Sequence, residues 1–380
     1  MNWSLHPLHE LTDKIGSGST PRGGDGAYKP TGIPLVRSMN VHDGFFKPDG
    51  LAFIDEEQAR LLRNVTLQRG DVLINITGAS VARSCILPER YSGGRVNQHV
   101  AIIRPQQKLD PAFLNYFLTD PNTKRRLLNT AGVGATREAL TKAQLETLEI
   151  PLPPLDEQKR IAAVLDKADQ LRQKRRQAIA LLDGLTQSIF LEMFGDPTSN
   201  PRGWEIRPFG DAVKNENYKR IPLKSSDREK QSGTFPYYGA SGIIDYVDRP
   251  IFSGRHLLIG EDGANLLSRS TDIAFIADGE FWVNNHAHVV SDNGGCNLIY
   301  LQTLFALTNL EPFITGSAQP KLNRSKLDSI PVIFPSRCLQ DEFEKRVSVR
   351  NHVRAAASAS ASTMERTFSS LQHRAFYSQL

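Results

Sequence analysis

Ile150-Pro151-Leu152-Pro153-Pro154-Leu155-Asp156-Glu157-Gln158-Lys159-Arg160-Ile161 leads into a stretch whose apolar residues alternate at spacings of three and four: Ile161, Val164, Ala168, Leu171, then Arg175, and on through Ala178, Leu182, Leu185 and Ile189. The Pro-rich start reads as an extended strand, because proline biases its neighbours away from helical geometry. Asp156 and Glu157 stand where the positive end of a helix dipole favours acids. Eight of the nine spaced positions are apolar over four heptads, which predicts one long helix with a coiled-coil seam. Gly195-Asp196-Pro197 stops it, and Thr198 to Gly203 reads as a polar linker.

Working outward, the same plan occurs twice. Trp3-x-x-x-Pro7-Leu8 returns as Trp204-x-x-x-Pro208-Phe209, and Val96-Asn97-Gln98-His99 returns as Val283-Asn284-Asn285-His286. Gly70-Asp71-Val72-Leu73-Ile74 with Gly78-Ala79 matches Arg255-His256-Leu257-Leu258-Ile259 with Gly263-Ala264. Leu140, Leu145, Pro153 and Gln158 find counterparts in Leu322, Leu327, Pro335 and Gln340. Ordered matches with slowly drifting offsets identify a duplication. Within each half, short β-like runs separated by Gly, Pro, Ser and Asn turns precede a short helix, Pro111 to Leu128 or Leu298 to Thr308. A second long helix is expected from about Leu339 to the C-terminus, with the seam Val353, Ala357, Ser360, Met364, Thr367 and Leu371, and small residues from Ala355 to Ser362 that permit close approach or form a linker.

The fold class is therefore α+β: a tandem duplication of a β-rich domain followed by a long helix, the two helices pairing as an antiparallel coiled coil. The boundaries are 1–154, 155–197, 198–336 and 337–380. Helix pairing falls to Ile161, Val164, Ala168, Leu171, Leu182, Leu185 and Ile189 against Val353, Ala357, Met364 and Leu371. Some 40 helical residues at ~1.5 Å each give about 60 Å, the proportions of a ruler that reads a linear substrate such as B-DNA at two places.

Composition narrows the function. Lys and Arg number 46 against 41 Asp and Glu, a net charge of +5 that permits a polyanion partner without requiring one. No run approaches the ~18 apolar residues of a membrane span, and no basic-then-apolar leader opens the chain. Cys85, Cys296 and Cys338 lie far apart, which suits a reducing cytoplasm and reads as three small buried hydrophobes. A P-loop, a G-x-G-x-x-G turn, H-E-x-x-H, a G-x-S-x-G elbow and the Asn/Asp-Pro-Pro-aromatic signature of amino-methyltransferases are all missing. The Glu157-Gln158-Lys159 triplet sits in a helix start. No metal site and no catalytic residue is expected.

These residues resemble the specificity subunits of type I restriction–modification systems. The resemblance rests on Ile150 to Ile161 running into the helix, on Ser188-Ile189-Phe190-x-x-Met193-Phe194-Gly195-Asp196-Pro197 at its end, and on three motifs of the second half. Those are Phe235-Pro236-Tyr237-Tyr238-Gly239-Ala240-Ser241-Gly242-Ile243-Ile244, Gly260-Glu261-Asp262-Gly263-Ala264 and Trp282-Val283-Asn284-Asn285-His286. Arg337-Cys338-Leu339-Gln340-Asp341-Glu342 departs from the pattern of the first helix start. The resemblance implies a cytoplasmic subunit without a catalytic centre. It would read a bipartite double-stranded DNA target, one half-site per recognition domain, and dock two methyltransferase subunits and restriction motor–nuclease subunits. S-adenosylmethionine, ATP and Mg would serve those other subunits, with no cofactor in this chain.

Base reading needs donors and acceptors on loops, with cations for phosphates. The candidates in the first half are Arg22, Arg37, Asn40, Asn75, Thr77, Arg83, Arg95, Gln98 and Arg137. In the second they are Lys219, Arg220, Tyr237, Tyr238, Arg269, Asn285, Gln319, Lys321 and Asn323. Each Arg or Lys also reads as a solvated surface charge. Domains that read different half-sites should share scaffold residues and vary the readers, so Asn97/Asn284, His99/His286, Gly78/Gly263 and Gly134/Gly316 are assigned mainly to structure. The cluster Arg172-x-Lys174-Arg175-Arg176 is a solvated face or a contact surface, with Arg175 setting helix register. Two other readings fit the repeat: a two-domain scaffold that binds protein or glycan with a coiled-coil spacer, and an enzyme with an unfamiliar site.

Overall fold

A computed structural model describes every residue except 1, 2, 22, 133–138, 317, 318, 379 and 380. The duplication shows in the strand order. Four antiparallel strands of the first half lie in the order Thr12–Ser17, Val100–Pro105, Val72–Asn75, Ser84–Ile86. The second half repeats this as Val213–Asn215, Ala287–Asp292, His256–Gly260, Ala274–Ala277. In each half a two-stranded ribbon joins the first strand to the Pro-rich last one, Leu5–Pro7 to Glu149–Pro151 and Glu205–Pro208 to Pro331–Phe334. A small mixed sheet carries one parallel pairing in each half, Val36 opposite Val96 and Tyr238 opposite Val283.

The unbroken apolar runs follow from burial on both faces of the central strands. Val72 and Ile74 join the core that contains the helix Pro111–Thr119, while Leu73 points into the core around Leu35 and Val96. In the second half Leu257 and Ile259 take one side and Leu258 the other. The region expected as one short helix is two, Pro111–Thr119 and Pro121–Gly132, broken where Asp120 precedes Pro121. Its counterpart runs Leu298–Leu307.

The long helices span Leu155–Phe194 and Arg337–His373. Contacts divide the chain into two compact units, Met1–Arg176 with Ala359–Leu380, and Gln177–Ser358. These units cut across the four segments read from the sequence, since each contains parts of both long helices. In the first unit Phe376 meets the ring edges of Phe113 and Phe117, at 5.3 and 5.4 Å between centroids. In the second, Phe190 and Phe194 pack on Tyr300 and Phe343, all at 4.9 to 5.6 Å. Gly195, at φ +80°, turns the first long helix off, and a Cβ there would sit 2.7 Å from Pro201. The linker after it is tied down, because the Asn200 side chain donates to the Trp204 carbonyl and the Trp204 indole donates to that of Phe194.

Both helices open on the same buried side chain. The Gln158 amide oxygen accepts the Asp110 N–H at 2.8 Å, and its NH2 donates to the carbonyls of Lys108 and Pro153 at 3.0 and 2.9 Å. Gln340 accepts the Asn297 N–H at 2.8 Å and donates to the Pro335 carbonyl at 2.9 Å.

Within each unit the two helices run antiparallel: Arg172 and Arg176 meet Glu365 in the first, and in the second Asp183 meets Arg350 and Arg354 while Phe190 meets Phe343. Their seam corrects the sequence reading at alternate positions. The inward residues of the first helix are Ile161, Leu165, Ala168, Arg172, Arg175, Ile179, Leu182 and Thr186, whereas Leu171, Ala178 and Leu185 are exposed and Val164 lies beside the fully buried Leu165. On the second helix Val353 and Thr367 are exposed, with Phe368 buried instead. Ala357 is buried, and Met364, Leu371 and Ile189 are half-buried. A three-four pattern fits two strips that differ by one residue at every second position, and here arginine breaks the tie. Arg172 donates to Glu365 at 2.6 Å and Asp169 at 2.8 Å and lies 4.0 Å over the Phe368 ring, so an apolar stem and a paired head both fit at the seam. Cys338 also departs from expectation, being exposed, while Cys85 and Cys296 are buried.

Leu165→Ala is expected to destabilise the first unit by about 2–4 kcal/mol in urea unfolding, and Leu171→Ala by less than about 0.5. Equal losses would restore the first reading of the seam. Gln158→Ala takes the partner from three backbone groups, the buried Pro153 carbonyl and the part-buried Lys108 carbonyl and Asp110 N–H, and should lower stability by about 2–3 kcal/mol in the same measurement; an unchanged midpoint would remove its latching role.

Candidate nucleic-acid interface

In both halves the repeated Val-Asn-x-His segment is a sharp turn built by its asparagine. Asn97 and Asn284 are buried, and their side-chain oxygens accept the amides of His99 and His286 at 3.0 and 2.8 Å. The turn exposes the residue between them, Gln98 in one half and Asn285 in the other. Gly78 and Gly263 adopt positive φ in both halves, as does Gly316, while Gly134 lies outside the described residues.

Around the first turn, an open cleft of about 300 Å³ is lined by Thr20, Tyr28, Arg37, Ser38, Met39, Asn97 and His99. The Thr20 hydroxyl donates to the Gln98 side-chain oxygen Oε1, and the Gln98 side-chain Nε2 lies 2.9 Å from His99 Nε2. Thr77 Oγ1 sits 2.5 Å from His99 Nδ1. Arg37 stacks 5.1 Å from the Tyr28 ring and donates to the Gly50 carbonyl at 2.7 Å. Arg83 is half-buried nearby in sequence to this group.

Around the second turn the cations are tethered by carboxylates. Glu261 receives Arg220 at 2.7 Å and Lys321 at 3.3 Å, and Arg220 also donates to the carbonyls of Asn285 and Ala287. Glu216, buried, receives Lys219, Lys214 at 3.3 Å and the Ser291 hydroxyl at 3.0 Å. Four cations on two carboxylates leave an excess of two positive charges. His286, exposed, pairs with Asp262 at 2.8 Å. Burial alone would raise the Glu216 carboxyl, but hydrogen bonds from Lys219, Ser291 and Lys214 outweigh it and hold the group at about 2. Glu261 is likewise held low by Arg220 against its burial, and burial lowers His288, whose Nε2 lies 2.7 Å from the Leu322 carbonyl.

Of the residues singled out from the sequence, the structure thus gathers Arg37, Thr77 and Gln98 in one half and Lys219, Arg220, Asn285 and Lys321 in the other. Gln319 is exposed two residues before Lys321. Others hold the scaffold. Asn40 and Asn75 are fully buried and donate to the carbonyls of Lys47 and Ser38. Arg95 donates to the Ala59 and Gly94 carbonyls. Tyr237 is buried and accepts the Leu223 N–H, and Tyr238 packs on Phe275 and Phe281. Arg269 donates to the carbonyls of Ala306 and Thr308, closing the helix that ends at Leu307, and Asn323 caps the helix Arg324–Asp328. Arg22 and Arg137 lie outside the described residues. Sequence reasoning missed Thr20, Tyr28 and the outward placement of His286; the Asn-x-His spacing was the available signal, since an Asx turn projects the residues just after its asparagine.

A family model described as the type I restriction modification DNA specificity domain matches residues 3–181 and again 201–343. The chain belongs to this family and carries its domain twice. It is 39% identical over 142 residues to a putative type I restriction enzyme specificity subunit of Haemophilus influenzae, a match covering 37% of this chain and 36% of that one. To the type I restriction enzyme MjaIX specificity subunit of Methanocaldococcus jannaschii it is 22% identical, over 91% of this chain and 86% of the other. The chain thus spans about a third of the first relative's length and most of the second's. The crystal structure of the S subunit of a type I restriction-modification system from M. genitalium shares the fold at a TM-score of 0.60, with 16% identity over 99% of this chain and 96% of that one.

Because Glu216 is held near 2 against an ordinary 4.5, its ionised form stabilises the fold fully above about pH 5, and that contribution is lost as pH falls toward 2. Denaturant unfolding at pH 7, 4 and 3 should show Glu216→Gln less stable than the native chain at pH 7 and less sensitive to acid. Parallel profiles would uncouple the carboxylate from its lysines.

Proposed function

We propose that this chain is the DNA-reading subunit of a type I restriction–modification complex, each domain reading one half of a bipartite duplex target. The observation that carries this is a repeated frame with varied tips: identical Asn turns and glycines present Gln98 in one half and Asn285 in the other. Amide side chains pair bidentately with adenine edges, and the tethered cations Lys219, Arg220 and Lys321 supply phosphate contacts. The chain's own part is binding; methyl transfer, ATP-driven translocation and cleavage belong to methyltransferase and restriction subunits, in the cytoplasm.

The exposed apolar strip that the seam leaves over supports docking of the methyltransferase. In the second unit Leu181 is 78% and Val349 63% exposed, with Leu185 and Val353 also uncovered on either side of the Asp183–Arg350–Arg354 ion pairs. Helices rarely leave such rows to water unless a partner covers them.

Adenine-methylation mapping in cells that co-express the chain with its methyltransferase should reveal a split motif. Gln98→Ala is expected to weaken methylation about tenfold or more through one half of the motif only, and Asn285→Ala through the other. Leu181→Asp with Val353→Asp should abolish all chain-dependent methylation while leaving the unfolding midpoint in place. An active methyltransferase that shows no chain-dependent motif would overturn the reading in favour of a protein- or glycan-binding scaffold.

A further inference from the structure

The surface around the second turn is not wholly polar. The strand Ser232–Gly239 turns through Ala240 and Ser241 into Gly242–Val247, and the pairing slips twice on the way, the second time next to the turn. Tyr237 faces Asp245 while Tyr238 faces Ile243, so Ile244 is the extra residue of a β-bulge. Such a bulge re-aims side chains, and here Ile243 and Ile244 are left 47% and 54% exposed. They stand beside the reading turn. Asn284 donates its N–H to the Tyr238 carbonyl at 3.1 Å, and the vacant Cβ position of Gly239 lies 3.1 Å from Ile244 and 3.6 Å from the Asn284 amide. In the first half, where Val36 opposite Val96 corresponds to Tyr238 opposite Val283, Met39 is 50% exposed and lines the cleft with Arg37 and His99. Each half therefore sets a bare apolar side chain against the same turn.

Hydrogen-bonding readers have one apolar counterpart on the base edges of the major groove, the 5-methyl group of thymine. We propose that Ile243 and Ile244 contact a thymine methyl in the half-site read by the second domain, with Met39 in the corresponding place in the first. This rests on the DNA-reading function above. Isoleucine, stiff at χ1, makes the sharper reader, and the adaptable methionine the more tolerant one.

The test uses the full chain assembled with its methyltransferase and duplexes that carry the motif found by methylation mapping. Each thymine of the second half-site is replaced in turn by uracil, which removes the methyl and keeps every hydrogen-bonding group. Affinity should fall about fourfold at one or more positions, the worth of one buried methyl. The double variant Ile243→Thr, Ile244→Thr keeps β-branching for the hairpin and should bind thymine and uracil duplexes alike. Native complex indifferent to uracil at every position overturns the proposal, as does a variant that keeps the native preference. Weaker binding by the variant without uracil sensitivity in the native complex would make the pair a wedge between base steps and equally overturn the contact. A native complex with no chain-dependent motif fails one step earlier and overturns the DNA-reading function with it.

Discussion

Gln158 and Gln340 are the constraint on which the arrangement of each unit depends. Each is fully buried at the first turn of a long helix, and each joins three segments through one side-chain amide: the helix, the proline just past the strand before it, and the backbone leading into the short helix of its domain. An amide offers both an acceptor and donors, so a single residue satisfies groups that burial would otherwise leave unpaired. With the exit of the helix fixed in this way, the direction of the seam and the placement of the phenylalanines along it follow.

The same economy governs the candidate interface. Buried asparagines shape the turns, one buried and one half-buried carboxylate hold the cations, and the residues left to face a ligand are few. Glu216 and Glu261 cost desolvation, and the lysines and arginines drawn to them offset it while keeping a surplus of positive charge at the surface. A cation held from beneath loses less side-chain freedom on meeting a phosphate than one that waves in solvent.

The duplication, the class of each half and the long helices were legible in the sequence because they rest on order and spacing: Gln158 and Gln340, or Asn97 and Asn284, recur at near-constant offsets and occupy equivalent places. The seam was legible only to within one residue. Val164 and Leu165 are both apolar, and the choice between them depends on Arg172 finding Glu365 and Phe368 some 190 residues away, a pairing that no local pattern contains. The candidate site was half legible for a similar reason. Arg95, Arg269 and Tyr237 have the right chemistry for nucleic acid but spend it on carbonyls and amides brought near by folding, whereas Gln98 and Asn285 sit where a short-range Asx turn sends them. Local geometry can be read from a string; the destination of a long side chain cannot.

The composition of the two units has a consequence for synthesis. The second unit is one continuous stretch, Gln177–Ser358, while the first needs Ala359–Leu380 to complete a core in which Phe368 and Phe376 cover Phe113, Phe117 and Tyr116. Domains emerging from a ribosome usually close in the order in which they are made. Here the order reverses: the earlier-made half waits with an aromatic cleft open until the later one and Ala359–Leu380 have been translated.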